Sequence, residues 1–214
     1  MTFAPVPGEG LCVALVMPHY RSDLRVFMAP RPPADDAQWL KVAVDVSGAV
    51  AGIHAVCIAH LDIKPANVLL DEDGHAFLSD FGTASRIGRY YGTVRVDGMD
   101  TTTVYARTRE YCTNLRDETD MQKDVFAMCK TILEIRIGEC KNVCELPTIL
   151  GDVTVKQKFQ DIYWDVLSRG LSFILSERPT AHEAFNALQN GTPAAAPPPV
   201  SPQMGPAMDD YFFI

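Results

Sequence analysis

A chain of 214 residues can bury one sizeable core, which makes it one ordinary domain, or one domain and a tail. Its formal charge of −8 and pI near 5.0 argue against a general binder of nucleic-acid backbones or anionic membranes, because those surfaces recruit Lys and Arg in excess. Neither nucleic acid nor membrane is therefore an expected partner.

In chain order, Met1 to Pro7 lacks the positive start and apolar run of a signal peptide. Leu11 to Met17 is a short apolar run behind the turn Pro7-Gly8-Glu9-Gly10, and it reads as a buried strand ended by Pro18. From Ala37 to His60 apolar residues recur at three- and four-residue steps (Val42, Val46, Val50, Ile53, Cys57), which predicts a long buried helix. Asp45 and His54 interrupt the apolar stretch from Val42 to Ala59 and argue against a membrane span. Two strand-like pieces, 68–70 and 76–78, flank the turn Asp71-Glu72-Asp73-Gly74 and predict a hairpin. Residues 86–103 show no period, hold Gly88, Gly92 and Gly98, and read as a long loop. Helical patterns resume at Lys123–Ile137, Lys156–Phe173 and Thr180–Leu188, and the Pro- and Ala-rich stretch after Gly191 reads as a disordered tail. The six cysteines form no framework of a small secreted domain, so free thiols in a cytoplasmic or nuclear protein are expected.

The chemistry concentrates in one region. Asp62 falls just beyond the long helix, with Lys64 two residues on and Asn67 five residues on, and the hairpin then delivers Asp80 ahead of Phe81-Gly82. Phosphoryl transfer needs a carboxylate to orient an attacking hydroxyl and accept its proton, a cation against the transferring oxygens, and oxygen ligands for Mg2+. Asp62, Lys64, and the pair Asn67 and Asp80 supply these in turn.

His60, Asp62, Asn67, Asp80, Phe81 and Gly82 at these spacings resemble the catalytic loop and magnesium-binding segment of eukaryotic protein kinases. The resemblance extends over roughly Leu11 to Gln189. It implies an α+β, mainly α fold: a protein-kinase-like large lobe with a short catalytic β-hairpin, the small lobe largely missing. The implied division is a small-lobe remnant and hinge over 1–23, the large lobe over 24–190 and a tail over 191–214. The implied function is a protein serine/threonine kinase that uses ATP and Mg2+ on a protein hydroxyl, with Lys64 indicating Ser or Thr acceptors. Asp62, Lys64 and Asn67 are then catalytic, and Asn67 and Asp80 hold the metal. Met17 takes the gatekeeper position, the Pro18 carbonyl and Tyr20 N–H meet the adenine edge, and Leu69 forms an apolar floor under it. Asp23 meets the ribose or a basic substrate residue, or is an ordinary helix cap. Asp124 is similar to the aspartate that braces the catalytic loop, with a helix-start role as the plainer alternative. Arg178 resembles a buried arginine of the family, and Glu110 is its candidate partner.

Three departures stand out. Leu61 replaces the family's usual arginine, which weakens control by a phosphate on the loop. Thr108-Arg109-Glu110 stands where the family has Ala-Pro-Glu. Only about ten residues precede the first apolar run, with no Gly-rich phosphate loop and no small-lobe lysine, so a partner or a missing small lobe is expected over the ATP face. The alternative function is a truncated, pseudokinase-like interaction module without catalysis. The acidic-aromatic segment Asp209 to Ile214 suits docking in a groove or at a sheet edge, and otherwise reads as a frayed terminus.

Overall fold

The apolar rows of the two longest helices meet to form the core. In the computed structural model, which describes residues 2–6, 10–14, 17–28, 36–86 and 119–191, strands β1 (Thr2–Val6) and β2 (Gly10–Ala14) come first. Then follow β3 (Ser22–Asp23), α1 (Leu24–Met28), α2 (Asp36–Ala55), β4 (Ile58–Ala59), β5 (Val68–Leu70), β6 (Ala76–Leu78) and β7 (Ser85–Arg86). The C-terminal half is helical: α3 (Asp120–Ile137), α4 (Leu146–Gly151), α5 (Val153–Lys156), α6 (Asp161–Gly170) and α7 (Ala181–Asn190).

Every residue of α3 from Asp124 to Ile135 is buried, so this helix is surrounded on all sides rather than laid on a surface. Trp39, Val42, Ala43, Val46 and Val50 of α2 join its core, and the Trp39 indole N–H donates to the Ile132 carbonyl at 3.0 Å. Gly170 of α6 lies so close to α3 that a Cβ there would sit 2.2 Å from Cys129 Sγ; only glycine permits that approach. Thr119 with Gln122 and Thr180 with Glu183 form reciprocal capping boxes at the starts of α3 and α7.

The strands are few and short. β3, β5 and β6 form one antiparallel sheet in that order, with Asp23 opposite Leu69 and Leu69 opposite Phe77. β4 pairs with β7, and β1 with β2. Among the described residues, no helix is long and apolar enough to cross a membrane.

Several boundaries differ from those read in the sequence. The helix expected to reach His60 stops at Ala55, because Cys57 takes a left-handed φ of 58° and turns the chain into β4. The helix expected over Lys156–Phe173 is confined to α6, Asp161–Gly170: α5 already ends at Lys156, and the chain is off the helical path at Gln160. Between them Phe159 packs edge-on against Trp39 at 5.3 Å, a tertiary contact that outweighs local helical preference. The strand expected over Leu11–Met17 is described as Gly10–Ala14, with Met17 outside it, and its partner Thr2–Val6 was not anticipated because Pro5 and Pro7 disguise it. Residues 87–118, on which most of the loop expected over 86–103 and Glu110 fall, and the residues after 191, on which the expected tail falls, lie outside the described residues.

Candidate active site

Asp62 sits on a loop that α3 holds from beneath. Asp124, 1% exposed, accepts the backbone N–H of His60 at 2.7 Å and of Leu61 at 2.8 Å, one to each carboxylate oxygen. His54, in the last turn of α2, adds a third contact through Nε2 at 3.0 Å. Leu61 has a φ of 66°, in the left-handed region that costs a non-glycine residue about 1–2 kcal/mol. The two N–H bonds to Asp124 offset that strain and fix the backbone that leads into Asp62.

Around Asp62 the side chains converge. Its Oδ2 accepts from Lys64 Nζ at 2.7 Å and from Asn67 Nδ2 at 2.9 Å, and the same Asn67 nitrogen also donates to the Asp62 carbonyl at 2.9 Å. Asp62 is 8% exposed and Asn67 6% exposed. Asn67 ends a single 3-10 turn, Pro65–Asn67, and its carbonyl accepts both the N–H and the hydroxyl of Ser79 at 2.8 and 3.0 Å. The far end of the β5–β6 hairpin is thereby tied to the loop of Asp62.

One residue beyond Ser79, Asp80 is exposed and left-handed, with φ 62° and ψ 70°. It caps the short turn Phe81–Thr83 by accepting the Gly82 N–H at 3.4 Å, a long bond. A Cβ on Gly82 would stand 3.3 Å from the Asp80 carboxylate, so a larger residue would crowd that group. The Thr83 hydroxyl donates to the His60 carbonyl at 3.0 Å, which joins this turn to the Asp62 loop a second time.

His60 is the strap between the two segments. Its ring packs against Phe81 at 4.7 Å, its Nε2 lies 3.0 Å from the Ser79 carbonyl, and the Asp62 N–H donates to its Nδ1 at 3.3 Å. A donor at Nε2 and an acceptor at Nδ1 describe the neutral ring. Burial lowers the His60 pKa below its usual 6.5, with the Ser79 carbonyl and the Asp124, Asp62 and Asp80 charges pulling the other way. The folded state therefore binds this proton less readily than the unfolded chain does. The corresponding stability is complete above pH 6.5 and is lost as pH falls below it toward the lowered value. Urea unfolding of wild type between pH 7 and 5.5 is expected to show a larger drop in midpoint than His60→Gln, which keeps a donor for Ser79 and does not titrate there; equal drops would remove His60 as the cause.

The remaining residues singled out in the sequence fall into two groups. Tyr20 stacks on Phe77 at 5.3 Å, and Asp23 and Leu69 are paired neighbours across β3 and β5, so these three lie on the sheet that carries the hairpin. Asp23 Oδ1 accepts the Val26 N–H at 2.7 Å, so it does cap α1. Met17, 49% exposed, and Pro18, also exposed, are not hydrogen-bonded to the Asp62 cluster among the described residues. Arg178, 8% exposed, donates to the carbonyls of Ser172 and Gln122 at 2.7 and 3.1 Å and lies over the Phe126 ring at 4.9 Å. Sequence reasoning missed His54 and the strapping role of His60. A histidine on the buried face of an otherwise apolar helix was the available signal for the first.

Comparison with known proteins bears on this arrangement. The family model described as protein kinase domain matches residues 11–187. The chain is 46% identical over 57 residues to the LRR receptor-like serine/threonine-protein kinase EFR of Arabidopsis thaliana, covering 25% of this chain and 6% of that protein. It is 35% identical over 115 residues to the G-type lectin S-receptor-like serine/threonine-protein kinase SD2-2 of the same plant, covering 52% and 14%. A probable leucine-rich repeat receptor-like protein kinase, again from Arabidopsis thaliana, is 29% identical over 144 residues, covering 62% and 19%. The chain thus spans less than a fifth of the length of each of these relatives.

Proposed function

The chain belongs to the protein kinase family, and from that premise we propose that it transfers the γ-phosphate of ATP, with Mg2+, to a serine or threonine hydroxyl of a protein substrate. The observation that carries this reading is the junction of the Asp62–Lys64–Asn67 cluster with Asp80, two segments joined through Ser79, His60 and Thr83.

The roles follow from the geometry. Asp62 orients the attacking hydroxyl and accepts its proton at the carboxylate, and Lys64, now against Asp62, moves onto the transferring phosphoryl oxygens when they arrive. Asn67 spends its amide nitrogen on Asp62, which leaves the amide oxygen for a cation. That oxygen and the exposed Asp80 carboxylate are hard donors suited to Mg2+. Among the described residues no group of three or more His, Cys, Asp and Glu side chains is gathered as a metal cage. One carboxylate and one amide fit an ion that takes most of its ligands from substrate phosphates and water. When bound, Mg2+ neutralises charge developing on the phosphate oxygens. Pre-formed hydrogen bonds from Lys64 and Asn67 orient Asp62, which holds the acceptor hydroxyl in line.

The same reading assigns Met17, Pro18, Tyr20, Asp23 and Leu69 to the nucleotide side. It divides the chain into a small-lobe remnant and hinge at 1–23, a large lobe at 24–190 and a tail at 191–214. A partner or further lobe would cover the ATP face, where Phe81, 47% exposed, and Phe77, 42% exposed, present apolar surface. A reducing compartment, cytoplasm or nucleus, suits the free thiols Cys57, Cys129, Cys140 and Cys144.

Mg-ATP at a hundredfold its Kd is expected to stabilise the chain by about 2.7 kcal/mol, read as a rise in Tm. Asp80→Ala, which loses the Gly82 cap and puts alanine at a left-handed φ, is expected to start from a lower Tm and, against its own ligand-free baseline, to lose the rise. A wild-type chain that folds but shows no shift would leave the non-catalytic interaction module as the reading.

A further inference from the structure

Away from the Asp62 cluster, α4, the end of α6 and the turn that follows α6 enclose an open groove of about 430 Å3. That volume lies within the range of about 300–1,000 Å3 typical of clefts that bury a ligand. Its surface is mostly apolar, from Pro147, Leu150, Leu171, Phe173 and Ile174. Leu171 belongs to the core and Leu150 and Phe173 pack against it, whereas Ile174, 58% exposed, presents its apolar surface to the groove. The polar groups at the rim are Arg169, whose Nε is held by Asp165 at 2.9 Å, and Glu177, whose carboxylate accepts the Ser172 hydroxyl at 2.6 Å.

We infer that this groove is the docking site of the chain's own segment Asp209-Asp210-Tyr211-Phe212-Phe213-Ile214. Four consecutive large apolar or aromatic side chains match the apolar walls. The geometry of departure favours it. Gly191 at the end of α7 lies against the Tyr163 ring, and Tyr163 is only six residues up α6 from Arg169, roughly 9 Å along a helix. The intervening residues 192–208 can span roughly 50 Å even as a stiff proline-rich strand at about 3.1 Å per residue, so reach is ample. Tethering replaces a bimolecular encounter by an effective concentration on the order of millimolar, so a modest apolar contact suffices. The inference stands on the groove and the segment alone and is independent of catalysis.

The test uses the full chain with p-benzoylphenylalanine in place of Phe212, irradiated at low concentration and mapped by mass spectrometry. The expected product is a cross-link within one chain, from position 212 to 146–151 or 168–177. Ile174→Asp, at an exposed position, is expected to retain the parent Tm and lose this cross-link; Ile174→Ser serves in its place if the aspartate variant does not fold. A cross-link to the groove of a second chain, a cross-link to any other surface, no cross-link, or one that survives substitution of a folded Ile174 variant would each overturn the inference.

Discussion

Asp124→Ala is expected to cost about 3–5 kcal/mol of stability and to release the loop that presents Asp62. One carboxylate, 1% exposed, receives the His60 and Leu61 N–H groups and the His54 ring. Hydrogen bonds to a charged group contribute roughly 1.5–3 kcal/mol each, and a buried donor left without an acceptor costs its full desolvation. The strain stored at left-handed Leu61 then loses what opposes it. Urea unfolding gives the stability change, and hydrogen exchange at the His60 and Leu61 amides gives the local one, expected to rise toward the rate of global opening. Asp124→Asn keeps the volume but supplies only one accepting oxygen, so an intermediate loss is expected. A loss below about 1 kcal/mol for the alanine variant would show that the loop holds its shape without this brace.

Lys130→Met is expected to lose about 3–5 kcal/mol, as removal of one partner of a buried ion pair does. Lys130 and Glu134 are both fully buried on α3 and bonded to each other. The lysine precedes the glutamate by four residues, the weaker order for a pair on a helix surface, so helix propensity does not explain it. What explains it is the segment after α3. Lys130 Nζ donates to the Cys140 carbonyl at 2.8 Å, and the Cys140 N–H donates to Glu134 at 2.8 Å, so the pair satisfies both backbone groups of one buried residue. Met at 130 leaves the Glu134 charge buried without the lysine. Adding Glu134→Gln removes that charge and still accepts from Cys140, so the double variant is expected to be more stable than Lys130→Met alone. Additive losses in this cycle would mean that the two side chains are not coupled.

The residues of the candidate site were legible because their spacing along the chain is itself the signal. Asp62, Lys64 and Asn67 lie within six residues on one loop, and that loop closes on itself through hydrogen bonds among those same side chains. The hairpin of β5 and β6 was legible for the same reason: apolar triplets flank a turn rich in Asp and Gly, and the structure places the strands at 68–70 and 76–78. Two helix boundaries were not legible, although the end of α3 at Ile137 and the start of α7 at Thr180 were. Cys57 ends α2 in a left-handed conformation that no glycine announces, and Phe159 leaves the helical path for the Trp39 ring, a partner 120 residues earlier in the chain.

By itself, the sequence marked the groups of the candidate site and a mainly helical core, since periodicity and motif spacing are local properties of the chain. The tertiary structure decided how those groups are held. The buried carboxylate of Asp124 is 62 residues from Asp62 in sequence, yet its bonds fix the strained backbone that leads into Asp62. The imidazole of His60 takes its proton preference from burial and from Ser79. Lys130 and Glu134 look like an ordinary surface pair until α3 is found enclosed on every side, where low dielectric makes each charge depend on the other. Asp124 was marked as the brace by the family resemblance; for the other buried polar groups long-range burial has no local signature, and only the folded chain reveals their partners.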